Sequence, residues 1–215
     1  MGQEVGLSDL FPAEEFDQWA ADYDQDVVDD TSFPFDGYSQ VLALIVERAE
    51  VGSGATVLDL GTGTGNLAEL FARRGCRIWG LDFSAEMLVR AAAKLPEATL
   101  GQADLRAEWP QNFQRRYDAI VSAYTFHHFT LPEKVRLVLR LLRDRLTPGG
   151  RLVIGDVSFR DTAEQDALKL KLGDKWEEEY YWLADETAAA FGEHGIRATY
   201  LQVSSCAGVF EFVVR

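Results

Sequence analysis

Cysteine is scarce in this chain: Cys76 and Cys206 are the only two in 215 residues. Two thiols without metal-ligand spacing make neither a disulfide framework nor a metal cluster of their own, and a reducing cytoplasm is the compartment they suit. Long apolar runs are missing too. The longest, such as Val41 to Val46, fall far short of the ~18 residues a membrane span needs. The opening Met1-Gly2-Gln3-Glu4-Val5-Gly6 has an early acid, no apolar signal core, and Gly6 where a myristoylation signal calls for Ser or Thr. Neither export nor a lipid anchor is expected. Positive charge is in deficit: 21 Lys and Arg against 35 Asp and Glu give a formal charge of −14. A field of that sign repels phosphate backbones, so DNA and RNA are poor candidate substrates. No internal repeat or low-complexity linker interrupts the chain.

What is present fits one α/β domain. With 47% hydrophobic and 26% charged residues, the chain can bury a sizeable core. After an acidic, aromatic N-terminal stretch, apolar runs of strand length alternate with segments of helical periodicity, the order of a parallel sheet covered on both faces. Helices are expected over Ala13 to Tyr23 and Tyr38 to Glu50, with strand one over Thr56 to Leu60. A helix from Asn66 to Arg74 follows, its Leu67, Leu70 and Phe71 on one face. Strand two, Arg77 to Leu81, leads to Ser84, an N-cap for a helix from Ala85 to Lys94 with Glu86 in its first turn. Strand three is short, near Ala98 to Gly101, and strand four is Tyr117 to Ala123. A helix from Pro132 to Leu146 and the turn Thr147-Pro148-Gly149-Gly150 precede strand five, Arg151 to Val157. The polar stretch Asp161 to Asp185 is expected to form one or two helices, and Glu186 to His194 another. The last strands, Ala198 to Ser204 and Gly208 to Val214, are joined too tightly for a helical crossover and are therefore antiparallel.

Gly61, Gly63 and Gly65 stand between the first strand and the helix after it, an arrangement that lets a ligand approach bare backbone N–H groups at the strand's carboxyl end. A dinucleotide fingerprint would need a third glycine at 66, where this chain has Asn66, so a nicotinamide cofactor is the weaker reading. Asp59-x-Gly61-x-Gly63-x-Gly65 resembles motif I of the class I S-adenosylmethionine-dependent methyltransferases. Leu81-Asp82-Phe83-Ser84, Ala103-Asp104-Leu105 and Leu146-Thr147-Pro148-Gly149-Gly150 match that family's later motifs in order and spacing. The resemblance covers roughly residues 37 to 215. It implies a Rossmann-like sheet of seven strands, mostly parallel with an antiparallel C-terminal hairpin and helices on both faces. It also implies S-adenosylmethionine as cofactor, with Asp82 on the ribose hydroxyls, Asp104 on the adenine amino group, and Phe83 and Leu105 flanking the ring. Asp59, the three glycines and Ser122 join the cofactor side by the same resemblance.

Phe16 to Asp24 resembles the segment that precedes the core in many small-molecule methyltransferases and folds over the cofactor, so residues 1–36 are expected to form a helical lid on a domain of 37–215. Tyr23 is the candidate lid residue, because an aromatic face attracts a sulfonium by ~0.5–2 kcal/mol. Trp19 and Tyr23, at i and i+4, would equally serve to hold one helix face on the domain. After strand four comes Ser122-Ala123-Tyr124-Thr125-Phe126-His127-His128-Phe129. Its histidines could deprotonate or position a nucleophile near neutral pH. Zinc would need a further ligand, and His194 lies on a distant helix, so no metal is expected. His128 and Tyr181 are the candidate catalytic residues; Tyr124, His127, Asp156 and Glu178 are candidates for the substrate side. His127 could instead be structural, and the run Trp176 to Trp182 could be a solvated helix with its aromatics inward. Phe126-His127-His128 with the Glu-Tyr-Tyr run also resembles, more loosely, bacterial methyltransferases found beside sulfur-amino-acid salvage genes. The expected activity is methyl transfer to a small, possibly amino-acid-like molecule, in a monomer or homodimer without membrane or nucleic-acid partners. Two rivals keep the cofactor: internal cyclisation or cleavage that releases methylthioadenosine, and a non-catalytic S-adenosylmethionine-binding protein.

Overall fold

The computed structural model describes residues 13–27 and 31–214. The opening through Gly6, and with it the first third of the expected lid segment, lies outside them. One mixed sheet organises the chain. Its strands are β1 (Thr56–Leu60), β2 (Arg77–Asp82), β3 (Thr99–Gln102), β4 (Tyr117–Ala123), β5 (Leu146–Phe159), β7 (Ile196–Gln202) and β8 (Ala207–Val214), in the order β3-β2-β1-β4-β5-β8-β7. A two-residue strand, β6 (Trp182–Leu183), pairs in parallel with the end of β5. The first five strands run parallel, and β8 is antiparallel to both β5 and β7. The expected sheet is thus the observed one, with β6 added.

Burial on both faces explains why adjacent residues of β1, Val57 and Leu58, are both apolar rather than alternating with polar ones: all five of its residues are buried. The helices that cover the sheet are α1 (Ala13–Trp19), α2 (Tyr23–Asp26), α3 (Tyr38–Arg48), α4 (Asn66–Ala72), α5 (Ala85–Lys94), α6 (Leu131–Arg140), α7 (Thr162–Leu172) and α8 (Ala184–Gly192). One core gathers Val41, Ile45, Phe71, Val121 and Val153; the other, on the opposite face, gathers Leu58, Phe113, Ile120, Val138 and Phe210. α3 lies close on β5 because Gly155 leaves room: a Cβ there would meet Val41 Cγ1 at 2.4 Å and Ile45 Cδ1 at 2.7 Å. Ser84 caps α5 as expected, its Oγ accepting the Met87 amide at 3.1 Å. No described helix is long and apolar enough to cross a membrane.

Three expectations need correction. The single helix over Ala13 to Tyr23 is broken into α1 and α2, and the break brings Trp19 and Tyr23 together against Phe35. β5 starts at Leu146, opposite Tyr117, and its next partner pair is Ala119 with Arg151. The Pro-Gly-Gly turn is therefore a bulge inside the strand, allowed by Gly149 at φ +80°. The largest difference lies in Asp161 to Asp185, where α7 and a 3₁₀ turn (Gly173–Lys175) give way to chain without regular secondary structure over 176–181. The path of that stretch decides which of its acids reach the interior.

Candidate active site

The carboxyl ends of the parallel strands open on one cavity of about 670 Å³. Its place, where the strand order reverses between β1 and β4, is where open α/β sheets hold ligands. Gly61 (φ +66°) and Gly63 (φ +53°) line it in the left-handed conformation that glycine enters at least cost. A Cβ on Gly61 would meet Thr125 Oγ1 at 2.1 Å, whereas one on Gly63 would meet nothing within 4 Å. Gly61 thus lets the loops after β1 and β4 close on each other, and Gly63 presents bare backbone to the cavity.

Asp82, the last residue of β2, ties this loop to the next. Its Oδ2 accepts the Gly63 amide at 2.7 Å and its Oδ1 the Ser84 amide at 2.9 Å. Each oxygen keeps lone-pair capacity for another donor. Burial pushes the Asp82 carboxyl up to about 6, against the amide bonds from Ser84, Gly63 and Phe83. Asp104, after β3, is clasped by Arg106, whose Nη2 donates to Oδ2 at 2.6 Å and whose amide donates to Oδ1 at 2.8 Å. Burial acts to raise the Asp104 pKa, but the Arg106 bonds outweigh it and hold the group below its ordinary value. Phe83 and Leu105 stand beside these acids on the cavity wall.

Phe16 and Trp19 of α1 and Tyr23 of α2 line the same cavity. The Phe16 ring meets Phe83 at 4.8 Å and His128 at 5.5 Å, both edge to face. Two carboxylates fasten this segment. Asp17 Oδ1 accepts Ser84 Oγ at 2.5 Å and the Glu86 amide at 3.2 Å. Asp24 accepts Thr64 Oγ1 at 2.5 Å and Asn66 Nδ2 at 3.1 Å, and pairs with Lys94 Nζ at 2.5 Å. Each anchor sits at a helix N-terminus, α5 or α4, where the dipole favours negative charge.

The wall beyond the glycine loop is built on His127 and His128, in a 3₁₀ turn (Phe126–His128) after β4. Asp156 of β5, fully buried, accepts the His127 amide on Oδ2 at 2.9 Å, meets the ring Nδ1 with Oδ1, and accepts Trp182 Nε1 at 3.1 Å. Glu179 reaches both imidazoles: its Oε2 is 3.6 Å from His127 Nε2 and its Oε1 is 3.4 Å from His128 Nδ1. Burial acts to lower the His127 pKa, but Asp156 and then Glu179 hold it above the ordinary value. His128 moves the other way, lowered by burial and then by His127. Lys134, 1% exposed, donates to the Tyr180 carbonyl and lies 4.3 Å over the Trp182 ring; burial brings its pKa down to about 7. Tyr124, at φ +51°, lines the cavity with its hydroxyl buried and without a hydrogen-bond partner among the described residues.

The cavity brings together Tyr23, Gly61, Gly63, Asp82, Phe83, Asp104, Leu105, Tyr124, His127, His128 and Tyr181 from the sequence-derived set. Five others stand elsewhere. Asp59 sits behind the loop, accepting Thr62 Oγ1 at 2.9 Å, and Ser122 Oγ donates to the Leu60 carbonyl at 2.6 Å. Gly65 turns the chain into α4 against Leu95. Asp156 is the buried partner of His127 rather than a wall residue. Glu178 points outward to Lys169 Nζ (2.6 Å) and Trp176 Nε1 (3.0 Å), while Glu177, Glu179 and Tyr181 face in. The Tyr181 hydroxyl donates to the Glu177 carbonyl at 2.6 Å, which occupies its proton. Sequence reasoning missed Glu179, Lys134 and the Asp17 and Asp24 anchors. Strict alternation through residues 177 to 181 is the signal that would have found Glu179.

Residues 57–150 match a family described as a methyltransferase domain. An uncharacterized methyltransferase of Geobacillus kaustophilus is 34% identical over 210 residues, which span 92% of this chain and 94% of that protein. One of Halobacillus halophilus is 30% identical over 207 residues, spanning 91% and 94%. Among solved structures, the DhpI–SAM–HEP complex superposes with a TM-score of 0.71 at 20% identity, covering 99% of each chain. The magnesium protoporphyrin IX methyltransferase of Synechocystis PCC 6803 with bound SAH gives 0.69 at 20% identity, covering 94% of this chain and 98% of that one.

Proposed function

The chain belongs to the methyltransferase family, and from that premise we propose that it moves the methyl group of S-adenosylmethionine to a small, amino-acid-like nucleophile. The observation that carries this reading is a single cavity lined at one end by Gly61, Gly63, Asp82 and Asp104 and at the other by His127, His128 and Glu179. The unfilled space beside Gly63 supports the fit of the cofactor. When bound, S-adenosylmethionine supplies an electrophilic methyl carbon on a cationic sulfur.

On this reading Gly61 and Gly63 receive the cofactor's polar chain, Asp82 its ribose hydroxyls and Asp104 the adenine amino group. Phe83 and Leu105 supply apolar surface for the ring. Phe16, Trp19 and Tyr23 exclude water as a lid, and their aromatic faces favour a cation. The DhpI complex holds SAM and HEP together, which supports a two-ligand cavity here. His128, kept neutral by burial and by His127, is placed to take a proton from the nucleophile, and Glu177 and Glu179 favour an acceptor bearing an ammonium group. Alignment of the partners contributes most, ~7–11 kcal/mol, and a base adds ~10²–10⁴-fold. The compartment on this reading is the cytoplasm, since Cys76 and Cys206 are free thiols.

Calorimetric titration with S-adenosylmethionine and S-adenosylhomocysteine, followed by mass spectrometry after incubation without acceptor, tests the reading. Binding of both ligands without turnover is expected. Methylthioadenosine above the nonenzymatic rate would replace methyl transfer by an internal reaction, and binding of neither ligand would overturn the cofactor assignment.

A further inference from the structure

We propose that His127, His128 and Glu179 form a binding site for one divalent transition-metal ion, of the class taken by zinc, iron(II) or cobalt(II), on the acceptor side of the cavity. The proposal rests on the reading above for the cavity and its small acceptor, whose oxygen, nitrogen or sulfur would fill an open position on the ion; with the ion bound, His128 serves as a ligand and the metal, in place of that imidazole, lowers the acceptor's proton affinity. Four observations carry it.

The donor set comes first. Two imidazoles and one carboxylate each offer a ligand atom, and these atoms lie within 4.8 Å of one another. Imidazole suits zinc, iron, copper and nickel, and two histidines with one carboxylate leave positions open for water or substrate. Spacing comes second. The Glu179 oxygens lie 3.6 Å from His127 Nε2 and 3.4 Å from His128 Nδ1. The carboxylate also holds a side-chain hydrogen bond to His128, so it stands between the two rings, where an ion with ligands ~2.0–2.1 Å from its centre could take the place of the proton that joins them.

The third observation is what lies behind the ligands. Metal-binding histidines present one ring nitrogen to the ion and give the other to a carboxylate or carbonyl. His127 turns Nε2 toward Glu179 and Nδ1 onto Asp156, and Asp156 is itself fixed by the His127 amide, the Val157 amide at 2.8 Å and Trp182 Nε1. The main chain just after Glu179 is held at Tyr180, whose amide donates to the His127 carbonyl at 2.9 Å and whose carbonyl accepts from Lys134. Access is the fourth. All three ligands line the large cavity although His127 and His128 are only 8% and 9% exposed, so an ion can enter and still be shielded from bulk water. The third ligand is what the sequence reading lacked when it rejected zinc: His194 was too distant, and Glu179 was hidden in a run of three acids.

Tag-free full-length protein, stripped with a chelator, is titrated with Co²⁺ and then Zn²⁺ by calorimetry and visible absorption. One equivalent of Co²⁺, ligand-field bands in the visible, and their loss on adding Zn²⁺ are expected. Glu179→Gln and His128→Ala should abolish stoichiometric binding. Asp156→Asn should keep the stoichiometry and weaken binding by ~10–100-fold. Absence of binding by the wild-type protein at several-fold excess ion overturns the proposal, as does equal binding by Glu179→Gln. S-adenosylhomocysteine titrated into the same samples keeps the two readings apart. Asp82→Ala should lose that ligand and retain Co²⁺, and a wild-type protein that binds Co²⁺ but not the nucleoside leaves the metal site standing while the methyltransferase mechanism falls.

Discussion

Asp156 holds His127 by two of its atoms at once, Oδ2 accepting the backbone amide at 2.9 Å while Oδ1 meets the ring Nδ1. Breaking a buried charge pair of this kind costs ~3–5 kcal/mol, because the surviving partner is left uncompensated. Asp156→Ala should therefore lower unfolding free energy in urea by that order, with Asp156→Asn losing distinctly less. Equal losses for the two would show that size, not the paired carboxylate, is what the site requires.

Gly61 and Gly63 give a contrasting pair. Alanine at 61 meets Thr125 at 2.1 Å, so Gly61→Ala should destabilise the fold. Alanine at 63 has open space but an unfavourable φ of +53°, a cost of ~1–2 kcal/mol. Gly63→Ala should stay folded by circular dichroism and lose S-adenosylhomocysteine affinity in calorimetry. Unchanged affinity would remove Gly63 from the ligand's path.

Burial pushes the Asp82 carboxyl up to about 6, and protonation turns one acceptor site into a donor, leaving less capacity for the ligand's O–H groups beside the Gly63 and Ser84 amides. Affinity for S-adenosylhomocysteine should hold above about pH 6 and fall as pH drops through it. The effect on stability has the opposite sign. The folded-state pKa of Asp82 is raised from 3.8 to about 6 and that of Asp59 to about 7, chiefly by burial. Their contribution to stability is full below about pH 3.8 and is lost as pH rises through those values. Asp59→Asn should consequently raise Tm above about pH 7 and show a shrinking advantage toward pH 3.8. A constant advantage across that window would refute the linkage.

Asp24 and Lys94 latch α2 to the glycine loop, with side chains 46% and 26% exposed. Exposed pairs contribute only ~0.2–1 kcal/mol, and salt screens them. Lys94→Ala should accelerate ligand release several-fold at low salt, read by stopped-flow Trp fluorescence, with the difference from wild type narrowing as salt rises. A difference independent of salt would exclude an electrostatic latch.

The sheet, the glycine loop and the acids at the ends of β2 and β3 were legible from the sequence, because each is a local pattern. Val57, Leu58 and Leu60 make Thr56 to Leu60 apolar enough to be buried on both faces, Gly61 and Gly63 supply φ values that other residues resist, and Asp82 ends β2 while Asp104 stands two residues past β3. Spacing along the chain is sufficient for features whose cause lies within a few residues. It could not tell a wall residue from one behind the wall. Asp59 and Ser122 carry motif-like positions yet turn to Thr62 and to the Leu60 carbonyl, since a side chain at a strand end has two directions and neighbouring strands choose between them. The acids of residues 177 to 179 show the same limit most sharply. Alternation puts Glu178 and Glu179 on opposite sides, but nothing local says which side faces in. The Tyr180 amide, bonded to the His127 carbonyl from a distant part of the chain, pins this stretch, and that long-range contact decides which acid looks into the cavity and which into water.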